Sequence, residues 1–185
     1  MEDFKKYKDI FEKLNTERKL LFILQLLIRQ RNLYLDFCDR VNWGQKEKCM
    51  DIFKQFYHCI LEKKNFELEE AIEEINPENF QWDEGVNDIV GYIITIIDNM
   101  KAFGKQINER EEIDIYFTRC NFDLIEAYIF DNTDIEYDNI EAIKNYPDMK
   151  SEIEKGIGDL VMIAKGNGLN GEILDMNDIL FKINY

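Results

Sequence analysis

Residues 20–28, LLFILQLLI, constrain this chain more than any other stretch. Every residue but Gln25 is apolar. A run that offers no face to water needs protein on all sides, so it reads as a helix enclosed by other helices. It is shorter than the roughly 20 apolar residues that cross a bilayer, and Arg29 and Arg31 follow at once. The fold expected is all-α: a single-domain bundle of six to eight helices around a buried central helix. With only two prolines, no internal repeat and no linker-like stretch, residues 1–185 read as one helical domain.

Spacing places the neighbours of that helix. Phe4, Tyr7, Ile10, Phe11 and Leu14 recur at three and four residues, which makes 3–14 an amphipathic helix with Lys5, Lys6, Lys8 and Lys13 on its wet side. Asn15 or Thr16 caps the central helix, which runs to about Val41 and is ended by Gly44. A third helix buries Cys49, Ile52, Phe53, Phe56 and Ile60. Asn65 then caps a small helix, FELEEAIEEI, with Leu68, Ala71, Ile72 and Ile75 inward and its glutamates outward. NPENFQWDEG is a turn, with Pro77 suited to a helix start.

The fifth helix spans about 83–108, with Gly91 marking a neighbour's close approach. A sixth covers 110–131 and buries Ile113, Phe117, Cys120, Leu124, Ala127 and Tyr128. An acidic turn, DNTDIEYDN, and a short helix lead to a last helix from Pro147 that uses Met149, Ile153, Ile157, Leu160 and Val161. KGNGLNGE reads as a flexible loop, and the tail 166–185 as either helix or extended chain.

Charge is distributed unevenly. Of the net −15, residues 1–65 carry fourteen Lys/Arg against ten Asp/Glu, or +4; residues 66–185 carry nine against twenty-eight, or −19. Phosphate is repelled by such a C-terminal part, so neither nucleic acid nor an anionic membrane is an expected partner. A basic protein is the complement; the plainer alternative is a surface that is acidic for solubility. Arg29, Arg31, Tyr34, Arg40, Trp43, Lys46 and Lys48 interleave as the one candidate nucleic-acid patch, against the sense of the net charge.

Chemistry is hard to place. His58 is the sole histidine, and Gln55 stands where a Glu-x-x-His iron motif needs glutamate. Cys49, His58, Cys59 and Cys120 lack the spacing of a zinc site. The glycine-rich loop lacks Gly-Lys-Ser/Thr, and Thr133 and Ile135 occupy positions where a calcium loop needs Asp or Asn, with its turn glycine missing too. No carboxylate pair stands out among 38 acids. No metal, cofactor or enzymatic activity is therefore expected. The four cysteines have no paired spacing and no apolar leader opens the chain, so free buried thiols and a cytoplasmic location are expected.

One further pattern sits across 22–44: an apolar helix, Arg29, Tyr34 five later, Phe37 and Cys38, then Trp43 and Gly44. With LEEAIEEINPENF, and with Asn145 and Pro147 before the Glu152-containing last helix, this resembles the YjaG-like bacterial family, an all-helical domain of unknown function (416). The resemblance covers about 16–165, leaves 166–185 as a variable tail, and implies a fold without a settled activity. It departs at GVNDIVGYIITI, where Gly91 and Ile93 replace the family's Asp and Cys, and at a Ser-Asn-containing tail. Those departures shift the expectation from catalysis to binding. Arg29 remains open between bracing the bundle, through backbone carbonyls or a carboxylate on the fifth or sixth helix, and holding a ligand anion.

The leading expectation is an immunity protein that neutralises a cognate basic bacterial toxin. Glu126, Asp131, Asp134, Glu136, Asp138 and Glu141 form the contact surface, with Tyr128, Phe130 and Tyr137 as aromatic anchors. The alternative is a housekeeping family member with a small ligand or a regulatory partner.

Overall fold

The computed structural model describes residues 2–165 except 83, 111, 112, 114–116 and 118. In chain order the helices are α1 (Glu2–Glu12), α2 (Thr16–Val41), α3 (Lys46–Glu62), α4 (Glu69–Glu74), α5 (Glu84–Glu109), α6 (Cys120–Asn132), α7 (Ile140–Asn145) and α8 (Pro147–Ala164). A single 3₁₀ turn, Pro77–Asn79, joins α4 to α5. No strand occurs among the described residues. The expected all-α bundle is what forms, and α2 is its axis, packed by α3, α5, α6 and α8. None of residues 20–28 is more than 2% exposed. Among the described residues no helix is long and apolar enough to cross a membrane.

Helix ends follow local chemistry. Asn15 Oδ1 accepts from the Arg18 amide at 3.0 Å, as expected of the cap. At the other end of α2 the stop is Asn42, not Gly44. Asn42 takes a left-handed φ of 55° and its N–H returns to the Cys38 carbonyl. Asparagine tolerates that conformation, and ending there swings Trp43 back onto the helix.

Three further expectations are corrected. Asn65 does not cap a helix, because Phe66 is drawn into the core, 4.5 Å from the Phe56 ring. Asn108 substitutes for the lost helical bonds: its Oδ1 accepts from the Phe66 N–H at 2.6 Å and its Nδ2 donates to the Phe66 carbonyl at 3.0 Å. Helix α4 starts only at Glu69. The sixth helix starts at Cys120 rather than 110. Arg110 closes α5 with a φ of 49° and its guanidinium covers the carbonyls of Cys59 and Lys64 at the end of α3. Ile113 is half-buried and Phe117 buried; residues 111, 112, 114–116 and 118 of that stretch lie outside the described residues, as do KGNGLNGE after Lys165 and the tail.

Gly91 meets no neighbour; its added Cβ would find nothing within 4 Å. The close approaches are at Gly104, against Phe66, and at Gly156, against Tyr7. Helix α8 is also rotated from its expected register. Met149, Glu152, Gly156, Leu160 and Ile163 face in, whereas Ile153, Ile157 and Val161 are half-exposed. A glutamate replaces isoleucine on the buried face because its partner waits there.

Candidate partner-binding face

That partner is Arg29, itself fully buried. Its Nη2 donates to Glu152 Oε1 and its Nη1 to Asp159 Oδ2, each at 2.7 Å. The carboxylates thus come from α8, not from α5 or α6. Asn121 Nδ2 on α6 also donates to Glu152 Oε1 at 2.7 Å, Gln30 Nε2 donates to Asn121 Oδ1, and Asn99 Nδ2 on α5 donates to Gln30 Oε1. One buried polar chain therefore ties α2, α5, α6 and α8. Burial works against the Arg29 charge, but Glu152 and Asp159 outweigh it and hold the guanidinium above its usual range. No exposed surface of Arg29 remains for a ligand anion.

The rest of the motif builds a second junction. Tyr34 Oη donates to the Ile75 carbonyl at 2.8 Å and accepts from Trp43 Nε1 at 3.1 Å. Trp82 packs edge-on against Phe37 and Trp43, and its Nε1 donates to the Pro77 carbonyl. Trp43 so binds the end of α2 to the NPENFQW turn, with Cys38 buried beside it. The candidate nucleic-acid patch dissolves here. Arg29, Arg31 and Tyr34 are buried, while Arg40, Lys46 and Lys48 pair with Asp36, Asp39 and Glu74. His58 is exposed and the cysteines buried; among the described residues no His, Cys, Asp or Glu cluster could hold a metal.

An open cleft lies elsewhere. Helices α6, α7 and α8 enclose a cleft of about 790 Å³ floored by Tyr7, with Phe122, Phe130, Ile143, Met149, Ile153 and Ile157 among its walls. Arg119, Glu126, Glu141, Lys144, Lys150 and Glu154 ring it. Burial, with Asp123 beside it, pushes the Glu126 carboxyl above its ordinary value. The sequence held one sign of this cleft: α8 carries apolar residues on both sides of its Glu152–Gly156 face, more than one core stripe needs.

The nine expected contact residues divide. Glu126, Phe130, Tyr137 and Glu141 line the cleft. Asp134, Glu136 and Asp138 are exposed on the loop between α6 and α7, and none of the three has an ion pair among the described residues. Asp131 is exposed and accepts from the Tyr92 hydroxyl. Tyr128 is not a surface anchor: it is 6% exposed and packs edge-on against Tyr92, because it shares the buried stripe of α6 with Leu124. Tyr137 is 78% exposed yet ordered by stacking on Phe130, centroids 3.7 Å apart and planes 23° from parallel.

No curated protein and no solved structure matches the chain. The model of one family, described as "Protein of unknown function (DUF416)", matches residues 6–174, a span that begins before the expected 16 and takes in Tyr7 of α1. With that match running through both the Arg29 network and the Tyr34–Trp43 junction, the chain belongs to the DUF416 family.

Proposed function

We propose that this protein is a cytoplasmic protein-binding protein, in its most concrete form an immunity protein that neutralises a cognate basic bacterial toxin through the acidic face of α6, α7 and their loop. One observation carries the reading: Asp134, Glu136 and Asp138 stand exposed without cation partners among the described residues, beside a 78%-exposed, stacked Tyr137. Asp39, Asp51, Glu17, Glu62, Glu73 and Glu74 each meet a lysine; Glu67, Glu69 and Glu70 have no ion pair among the described residues either, so the exposed stacked tyrosine is what sets the loop apart. Unneutralised acids steer a basic partner into fast encounter, and an ordered aromatic is a ready anchor once it arrives.

The test is capture of the C-terminal fragment of a large secreted protein encoded beside this gene. Capture by the parent protein is expected to weaken with added salt, and changing Glu126, Asp131, Asp134, Glu136, Asp138 and Glu141 to alanine is expected to abolish it. Undiminished capture by the six-fold variant overturns the assignment of the face. A second reading, a housekeeping family member with a small ligand, draws on the cleft, whose volume lies in the roughly 300–1,000 Å³ range of ligand sites. An isolated gene with no toxin neighbour favours it.

A further inference from the structure

The geometry points to the α6–α8 cleft as the seat of an amphipathic helix from the partner, apolar on one face and flanked by lysine or arginine. This inference rests on the protein-binding reading above and specifies what enters. Ile153 and Ile157 lie one turn apart on the half-exposed flank of α8 and line the cleft together with Phe130 of α6. Such a trough matches side chains presented at i, i+3, i+4 and i+7 of a helix. The apolar surface does not stop at the cavity. Ile140 is 60% and Tyr137 78% exposed, so the lining continues outward onto α7 and the acidic loop. Both residues belong to the lining, and their open surface is more than a compact small molecule covers, whereas an extended helix lies across both.

Charge selects the occupant. Asp134, Glu136 and Asp138 border the Tyr137 end without cation partners among the described residues, and Glu126, Glu141 and Glu154 line the cleft itself. A second copy of this chain presents the same unneutralised loop and meets like charge across a two-fold interface. Basic flanks on the incoming helix turn that repulsion into attraction. Arg119, Lys144 and Lys150 share the rim with Glu126, Glu141 and Glu154, so the surplus negative charge lies on the loop and the basic flank of the incoming helix belongs at the Tyr137 end.

The full chain, isotope-labelled at isoleucine methyls, is titrated with three synthetic helices: one with leucine and phenylalanine anchors and lysine flanks, one with glutamate for lysine, and one with serine for the anchors. The lysine helix is expected to shift the methyls of Ile140, Ile143, Ile153 and Ile157, the glutamate helix to bind about tenfold more weakly or worse, and the serine helix to give no shifts. Ile157→Asp, at a half-exposed position, is expected to remove the shifts while leaving the helical spectrum unchanged. Equal binding of the glutamate helix, shifts elsewhere, no binding of the lysine helix, or a cleft that takes an anionic naphthalene dye in preference to it overturns the proposal. The six-fold alanine variant separates the two readings. If it binds the lysine helix undiminished, the acidic-face reading fails; if toxin capture persists in Ile157→Asp, only the helix in the cleft fails.

Discussion

Arg29 on α2 and Glu152 on α8 form a 2.7 Å ion pair across 123 positions of chain, with 1% and 2% of their side chains exposed. Their separation in sequence makes the pair a closing element: α8 cannot leave the bundle without stranding a charge in the core. Helix α8 is also a wall of the cleft, so the buried pair fixes the orientation of the half-exposed Ile153 and Ile157. Both isoleucines reach the cleft only because Glu152 occupies the inward position.

Removing one member of such a pair strands the other. Arg29→Met removes the cation shared by Glu152 and Asp159 while Asn121 still donates to Glu152, and is expected to cost about 3–5 kcal/mol in urea denaturation. The double variant Arg29→Met, Glu152→Met replaces the central pair by apolar groups and is expected to recover a large part of that loss. A double variant as unstable as the sum of the two singles would show that the pair is not coupled.

The sequence made some of this legible and hid the rest for identifiable reasons. The apolar run at 20–28, the stripes of α1, α3 and α5, and the Asn15 cap are all local, set by periodicity and by one side chain reaching its own helix end. Glu152 looks like any solvated glutamate in an acidic helix, since the arginine that draws it inward lies far away in the chain. Gly91 and Gly104 both sit inside α5, and only the path of Phe66 decides which of them has a neighbour. The choice of Asn42 over Gly44 depends on Trp43 reaching Tyr34. The acidic loop was readable as a charged exposed segment; the cleft beside it arises only when α6, α7 and α8 converge.

The Glu126 carboxyl gives a pH signature. Burial first, then Asp123, raises its value in the folded state above that of the unfolded chain, near 4.3. The folded state then holds the extra proton more tightly, so this group favours folding at low pH, and that contribution is lost as pH rises through the folded value. Glu126→Gln is expected to leave stability unchanged at pH 4 and to raise it at pH 7. The half-open position limits the gain to about 0.5 kcal/mol. Denaturation curves at the two pH values decide it; equal effects at both remove the linkage.

Thiol chemistry offers a readout of the core. Cys38, Cys49, Cys59 and Cys120 are free and buried. Burial pushes Cys38 up to about 11 and Cys120 up to about 12, and raises Cys49 and Cys59 as well. Little thiolate exists at neutral pH, and what exists is shielded. An aromatic disulfide reagent is expected to label native protein slowly, with Cys59, the most exposed at 7%, reacting first. All four react at once in denaturant. Rapid labelling of Cys120 in native protein would contradict the packing of α6.

Four helical glycines divide into two pairs that predict opposite outcomes from the same substitution. A Cβ at Gly104 would sit 2.7 Å from Phe66 Cδ1, and one at Gly156 would sit 2.7 Å from Tyr7 Cε2 and 2.9 Å from its hydroxyl oxygen. Both neighbours are buried rings held by further aromatics, Phe66 by Phe56 and Tyr7 by Phe22, so neither yields cheaply. Gly104→Ala and Gly156→Ala are expected to lose about 1–3 kcal/mol through overpacking. Gly91 and Gly158 lie inside helices with nothing within 4 Å, and alanine there is expected to add up to about 1 kcal/mol by restricting the unfolded chain. Thermal or urea denaturation of the four single variants separates the pairs by sign. Tyr7→Leu removes the ring that crowds Gly156, so Gly156→Ala made on that background is expected to cost less than in the parent protein. The same cost on both backgrounds would mean that Tyr7 does not set the spacing between α1 and α8.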